Sequence, residues 1–277
     1  MKVAVLGQGF IGAAVIQTLK RSGHNVLVLP KFNVDEYIVG ENPFQVDLEK
    51  ESSPDYIVNC AWIGLGDYSS YTCALNSAFN ICVAEYLGRI WPSVKPINLG
   101  SCWEYYHEGQ HGSLAENECP EPQSFFSFSK QQIRLTFDRI FGSDRTTWLR
   151  LFYVFGEGQR EKALIPSLIR AKSTGVFECY SPANRLDYIY VYDVAAMIEE
   201  IVATDSSLGI CNVGSGSPVE TKAIISSLLS DSEIATKTSF PNGEGHCDLS
   251  LWADVKKIRS MKWFEHKTGI LEFCKRI

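Results

Sequence analysis

The sequence predicts a doubly wound α/β fold: a parallel sheet with helices on both faces and a smaller C-terminal lobe. Three observations predict it. Short apolar runs alternate with helix-length amphipathic stretches through the first half of the chain, the order that gives parallel strands joined by right-handed crossovers. The runs are continuously apolar, as strands covered on both faces are. The first run feeds a glycine-rich turn that opens directly into a helix.

The elements follow in order. Strands are predicted at residues 2–6, 25–29, 56–60, 94–99 and 147–152, with helices at 11–22, 71–90 and 127–141 between them. Farther on, residues 164–172 read as a helix beginning near Pro166, and 193–204 as another. Residues 211–214 read as a late strand ending in the turn Gly214-Ser215-Gly216, and from about residue 217 the pattern is helix and loop with few strand signals. The expected division is a first domain of residues 1–155, to which 181–214 return, and a substrate-binding lobe of 156–180 and 215–277.

Composition limits the function. The hydrophobic fraction of 45% and charged fraction of 21% are those of a globular enzyme. A net charge of −6 argues against nucleic acid as a partner, because phosphate backbones reward a basic face. The nine cysteines are scattered without a C-x-x-C pair, several inside apolar runs where Cys packs as a small hydrophobe. No metal site is expected, and the usage suits a reducing compartment. No stretch is apolar enough to span a bilayer. One Lys precedes the apolar run Val3-Ala4-Val5-Leu6, too short for a signal segment. The expectation is a cytoplasmic protein with no membrane partner.

The turn after the first run is Gly7-Gln8-Gly9-Phe10-Ile11-Gly12. In this spacing Gly7 permits a tight turn, Gly9 admits a pyrophosphate to the backbone, and Gly12 lets the helix pack close to the strand. Phe10 leads into a helix opened by Ile11, whose free N–H groups and positive dipole end face the phosphates. A dinucleotide-binding Rossmann sheet is the consequence. Folds of this kind that take NAD usually place Asp or Glu after the second strand to hold the ribose hydroxyls. Here Leu29-Pro30-Lys31 offers a cation and no carboxylate, which favours NADP, while Asp35 and Glu36 nearby keep NAD open.

With these residues in view, the chain resembles the extended short-chain dehydrogenase/reductases, the NAD-dependent epimerase/dehydratase superfamily of nucleotide-sugar enzymes. Asp47-Leu48 is similar to the pair that contacts adenine, and Val58-Asn59-Cys60-Ala61 to the strand beside the nicotinamide ribose; Asn76 and Asn80 match a helix the family keeps. The stretch from Arg150 to Gln159, the segment Asp187-Tyr188-Ile189-Tyr190-Val191-Tyr192-Asp193-Val194-Ala195, the turn at 211–216 and the C-terminal run from Asp254 to Trp263 resemble further family segments in the same order.

The resemblance implies hydride transfer with a proton relay. A Ser or Thr positions the substrate oxygen, and a Tyr four residues before a Lys exchanges the proton; the Lys holds the ribose and favours the tyrosinate. Ser101 matches the hydroxyl and Lys130 the lysine, which also binds cofactor. Phe126 stands where the tyrosine belongs, and phenylalanine has no proton to give. Three explanations stand side by side: an engineered Tyr→Phe change, a neighbouring phenol (Tyr105, Tyr106 or Tyr153) in the role, or a protein that binds nucleotide sugar without turnover.

The resemblance also narrows the reaction. Family dehydratases carry Asp-Glu after the Ser/Thr, where this chain has Cys102-Trp103, so dehydration is not expected. Enzymes that epimerise at C3 and C5 use a Cys and a His; Cys102 is one place out of register, and Ala163, beside Lys162, occupies the His position. Cys102 is read chiefly as packing at the substrate side of Ser101. The segment 124–132 is similar to short ketoreductases of nucleotide 4-keto-6-deoxyhexoses. The expected activity is reduction of a sugar ketone, at C4, by NADPH, with a C4 epimerase or an inactive binding protein as alternatives. Arg160 and Arg185 are candidates for the substrate diphosphate, Arg185 being one place from the family's usual arginine, where this chain has Leu186. A homodimer is expected by analogy with the family.

Overall fold

A computed structural model describes residues 1–44, 46–105, 111–118, 122–175, 177–241, 249–260 and 267–277. Tyr106 and Trp263, both named above, lie outside them. In chain order the elements are β1 (Lys2–Leu6), α1 (Phe10–Arg21), β2 (Asn25–Leu29), α2 (Val34–Ile38), β3 (Tyr56–Asn59), α3 (Ser70–Ile90), β4 (Lys95–Ser101), β5 (His111–Leu114) and α4 (Phe125–Phe141). There follow β6 (Thr147–Leu151), β7 (Tyr153–Phe155), α5 (Leu164–Thr174), β8 (Phe177–Glu178), β9 (Arg185–Tyr190), α6 (Val191–Ala203) and β10 (Gly209–Val213). The chain ends with β11 (Pro218–Glu220), α7 (Thr221–Leu228), α8 (Asp231–Lys237), β12 (Thr238–Ser239), β13 (Ser250–Ala253), α9 (Lys256–Ser260) and α10 (Ile270–Arg276).

Residues 1–106, 119–151 and 195–211 form one compact unit. Its six-stranded sheet has the order β10-β6-β4-β3-β1-β2. The β1–β2, β1–β3, β3–β4 and β4–β6 pairs are parallel, with Lys2 opposite Asn25 and Val3 opposite Tyr56. This is the Rossmann-like sheet the apolar runs predict. Strand β1 has β2 on one side and β3 on the other, so the winding reverses there. In an open α/β sheet, ligands bind outside the carboxyl ends of the strands at that switch point. The core beneath the sheet gathers Phe44, Phe79, Trp91, Phe137, Phe141 and Trp148 with aliphatic side chains of β1, β3 and α3. Each such buried side chain contributes roughly 1.5–3 kcal/mol.

Residues 107–118, 152–194 and 212–277 form the other unit. Here β11-β9-β13-β5 make a sheet, with β7 paired to β9 and a separate β12–β8 pair. Residues 181–194 thus fall in this unit, whereas the sequence reading counted them with the first. Strand β9 finds its partners in β7, β11 and β13 and not in the six-stranded sheet. The strands after residue 217 also depart from the expectation of helix and loop; they are two to four residues long, too short to carry a visible period.

Among the described residues, no helix is long and apolar enough to cross a membrane.

Candidate active site

The glycine turn sits at the switch point. Gly7 has φ +92°, and a Cβ there would stand 2.8 Å from the backbone of both Cys60 and Ala61. A Cβ on Gly12 would run into the Gly7 carbonyl oxygen, so α1 packs on its own turn only because Gly12 has no side chain. Gly9 is different: a Cβ there would meet nothing within 4 Å. It is the N-cap of α1, it is exposed, and no side chain caps the helix. The first amides of α1 therefore lack side-chain partners at the carboxyl end of β1, which is what a pyrophosphate requires. Phe10 and Ile11, half-buried, carry that first turn. The residues present fit a dinucleotide.

Lys31, just past β2, is exposed, and among the described residues it forms no ion pair. Asp47 is also exposed and pairs with Lys50 at 2.6 Å, which holds its carboxyl below the usual range. Leu48 is buried in the core under the sheet.

The loop after β3 is fastened by asparagines. Asn59, buried, donates to Asn80 (2.8 Å) and Asn98 (3.1 Å) while its oxygen accepts from the Ala61 amide (3.2 Å). The side chain of Asn76 accepts from the Ile63 amide and donates to the Ile63 carbonyl. Between these anchors stand Ala61, beside Gly7, and Trp62.

Helix α4 begins with a capping box between Ser124 and Ser127, which sets Phe126 and Lys130 one turn apart on one side of the helix. The Lys130 ammonium lies 4.2 Å from the centre of the Trp62 ring and 5.7 Å from that of Phe126. It donates to the Leu99 carbonyl over 2.8 Å, two residues before Ser101 on β4. Burial lowers its pKa to about 8, although Glu104, Cys60 and Cys73 favour its charge. Burial also pushes the Cys60 thiol up to about 12, with Lys130 opposing it. The structure thus brings Gly7, Ala61, Trp62, Phe126, Lys130 and the end of β4 into one continuous cluster.

Ser101 ends β4 and caps a 3₁₀ turn at Cys102–Glu104, accepting from the Trp103 amide at 3.2 Å. Its own hydroxyl proton has no acceptor among the described residues. Cys102 is 3% exposed and packs inward. Glu104 is the buried acceptor beneath the turn, receiving the Ser101 amide, the Trp148 indole N–H and Arg150 Nε.

Tyr105 is fully buried with the Arg150 guanidinium 4.3 Å from its ring centre. This removes it from the phenols considered for the proton relay. Tyr153 is half-buried in the other unit, its ring 5.7 Å from that of Tyr188. Among the described residues, the phenol that meets Phe126 is Tyr68, with ring centres 4.8 Å apart. Sequence reading missed Trp62, Tyr68 and the Glu104–Arg150 pair. The last left a signal, a lone arginine inside the apolar strand β6.

Arg160 and Arg185 both belong to the second unit. Arg160 is exposed in the loop after β7, and Arg185 opens β9 with its side chain exposed. Leu186, at the family's arginine position, is buried. Asp187, next along, is also buried and accepts from Ser215 N and Oγ, Gly216 N and Ala253 N at 2.6–3.0 Å.

The fold is similar to several solved structures. RMD from Pseudomonas aeruginosa complexed with NADPH superposes with a TM-score of 0.80 at 17% identity, covering 99% of this chain and 96% of that one. UDP-glucuronic acid 4-epimerase from Bacillus cereus in complex with NAD gives 0.78 at 18% identity, with the same coverage. MoeE5 in complex with UDP-glucose and NAD gives 0.77 at 22% identity, again covering 99% and 96%. No curated protein matches the sequence. Residues 3–214 match the sequence profile of the NAD dependent epimerase/dehydratase family, and the chain belongs to that family.

Proposed function

We propose that the chain is an enzyme that reduces a ketone, at C4, on a nucleotide-linked deoxysugar, using a nicotinamide dinucleotide and preferring NADP. One observation carries the reading: the glycine turn, Lys130 and the Ser101 end of β4 are joined into one cluster by the contacts of Gly7 with Ala61, Lys130 with Trp62, and Lys130 with Leu99. Family membership supports the nicotinamide dinucleotide. The NADPH and nucleotide-sugar complexes of the structural neighbours support both ligand classes.

Each residue has a proposed task. Gly7, Gly9 and Gly12 and the first turn of α1, with Phe10 and Ile11, hold the pyrophosphate. Lys31 faces the 2′-phosphate, Asp47 and Leu48 border the adenine, and Ala61 and Lys130 border the nicotinamide ribose. The bound cofactor supplies a hydride. Ser101 donates a hydrogen bond from its hydroxyl to the substrate oxygen and polarises the carbonyl, Cys102 packs behind it, and Arg160 and Arg185 attract the diphosphate. The free cysteines among the described residues support a reducing, cytoplasmic setting.

The test follows NADPH absorbance with a panel of nucleotide 4-keto-6-deoxyhexoses. Oxidation of NADPH with formation of the alcohol is the expected result; silence across the panel, also with Phe126→Tyr, sinks the reading. Cofactor that survives desalting on the protein, with interconversion of C4 epimers, identifies an epimerase. A second reading, nucleotide-sugar binding without turnover, is favoured by Phe126 alone; binding of sugar nucleotide without chemistry in the same panel establishes it.

We further propose a homodimer joined through α3 and α4. Tyr71 and Leu75 on α3 and Phe128 and Leu135 on α4 are exposed, more apolar surface than a lone helix pair needs to show. Sedimentation velocity of the natural chain and of a Leu75→Asp/Leu135→Asp variant tests it. A monomer in both removes the proposal.

A further inference from the structure

Phe126 leaves the relay beside Lys130 without a phenol, yet a phenol from another element stands against the same ring. The rings of Tyr68 and Phe126 meet at 4.8 Å and 60°. Phe126 also meets Trp62, at 5.0 Å, and lies beside the Lys130 ammonium. Tyr68 is 46% exposed, and its hydroxyl has no hydrogen-bond partner among the described residues.

The position is built. Gly64 and Gly66, at φ +66° and +102°, turn the chain ahead of Tyr68, and the Asp67 amide closes that turn on the Gly64 carbonyl at 2.9 Å. The Asp67 carboxylate then accepts from the Ser69 amide at 3.0 Å and from the Thr72 hydroxyl. Upstream, Asn76 grips both backbone groups of Ile63. Tyr68 is thus held on both sides, while Ser129 Oγ, donating to the Cys73 carbonyl at 2.9 Å, fastens α4 to α3 next to it.

We propose that Tyr68 is the proton donor of the reaction, replacing from the loop after β3 the phenol that Phe126 lacks on α4. This rests on the ketone-reduction reading above. A reduced nicotinamide dinucleotide is the reductant: its hydride makes the new C–H bond at the carbonyl carbon as the C=O π bond breaks. The carbonyl oxygen takes the Tyr68 O–H proton and becomes the alcohol. The Tyr68 oxygen recovers a proton from solvent, to which the ring is open. Ser101 holds the same substrate oxygen, and Phe126 is the surface against which Tyr68 is set.

The test compares the natural chain with Tyr68→Phe, Phe126→Tyr and the double variant, using NADPH and the panel of nucleotide 4-keto-6-deoxyhexoses. NADPH affinity checks that each variant is folded. Tyr68→Phe is expected to lower kcat by ~100-fold or more with NADPH affinity unchanged, and adding Phe126→Tyr to it restores turnover. A second readout needs no turnover. Tetranitromethane nitration of Tyr68, mapped by mass spectrometry, slows when nucleotide sugar is bound. Full activity of Tyr68→Phe, or unchanged nitration of Tyr68, overturns the proposal and leaves ketone reduction standing. So does turnover that appears only with Phe126→Tyr. Silence of both the natural chain and Phe126→Tyr overturns the two readings together.

Discussion

Arg150 Nε donates to Glu104 over 3.1 Å in a pair whose side chains are 4% and 5% exposed. Burial works against the guanidinium's charge, and Glu104 with Tyr105 more than offsets it, so Arg150 stays charged. The pair fixes the carboxylate that receives the Ser101 amide at 2.8 Å. Glu104 is therefore a positioning residue for Ser101. Replacing Glu104 with Ala leaves a buried arginine without its counter-ion, which costs about 3–5 kcal/mol. Urea denaturation of Glu104→Ala and Arg150→Met is expected to show losses of this size; a loss under about 1 kcal/mol means that the pair is not what holds the end of β4.

The three glycines of the turn are expected to separate fold from binding. Gly9→Ala places its Cβ in open space on an extended backbone, so Tm is unchanged while NADPH affinity falls by ~10-fold or more, because the pyrophosphate needs that space. Gly12→Ala forces α1 off its own turn and lowers Tm. Thermal melts and NADPH titrations on both variants check this, and equal affinity of Gly9→Ala and the natural chain removes the phosphate from this turn.

Lys31 decides cofactor choice if the NADP reading holds. A charge-assisted contact with the 2′-phosphate is worth roughly 1.5–3 kcal/mol. Lys31→Glu is then expected to weaken NADPH by ~10-fold or more and to spare NADH. Natural protein that binds the two with equal affinity overturns the preference.

How much of this was legible in the sequence depended on distance along the chain. The glycine turn and β1 are local, and their bounds follow from residue order, whereas α4 starts at Phe125, two residues ahead of expectation, because Ser124 caps it. Strand β3 ends at Asn59, one residue short of expectation, because Cys60 already turns into the loop fixed by Asn59 and Asn76. The contacts that assemble the site join distant residues: Arg150 with Glu104, Lys130 with Trp62, Tyr68 with Phe126. Periodicity carries no information on such pairs. Tyr105 looked available because it follows Ser101 closely in sequence, yet the turn at Cys102–Glu104 sends it into the core under Arg150.

Lys130 ties the site to stability through pH. Its folded pKa, about 8, lies below the ordinary lysine value of 10.5 because burial disfavours the charged form. Below about pH 8 the lysine is charged in both states, and burying it costs its full penalty. Between 8 and 10.5 the unfolded chain holds the proton more tightly, so the penalty shrinks as pH rises. Lys130→Met has no such proton. The stability advantage of Lys130→Met over the natural chain is therefore expected to narrow by about 2–3 kcal/mol from about pH 7 to about pH 10. Urea denaturation of both proteins across that range measures it. A gap that stays constant means that Lys130 keeps an ordinary pKa and that its contact with Trp62 and Leu99 leaves it open to water.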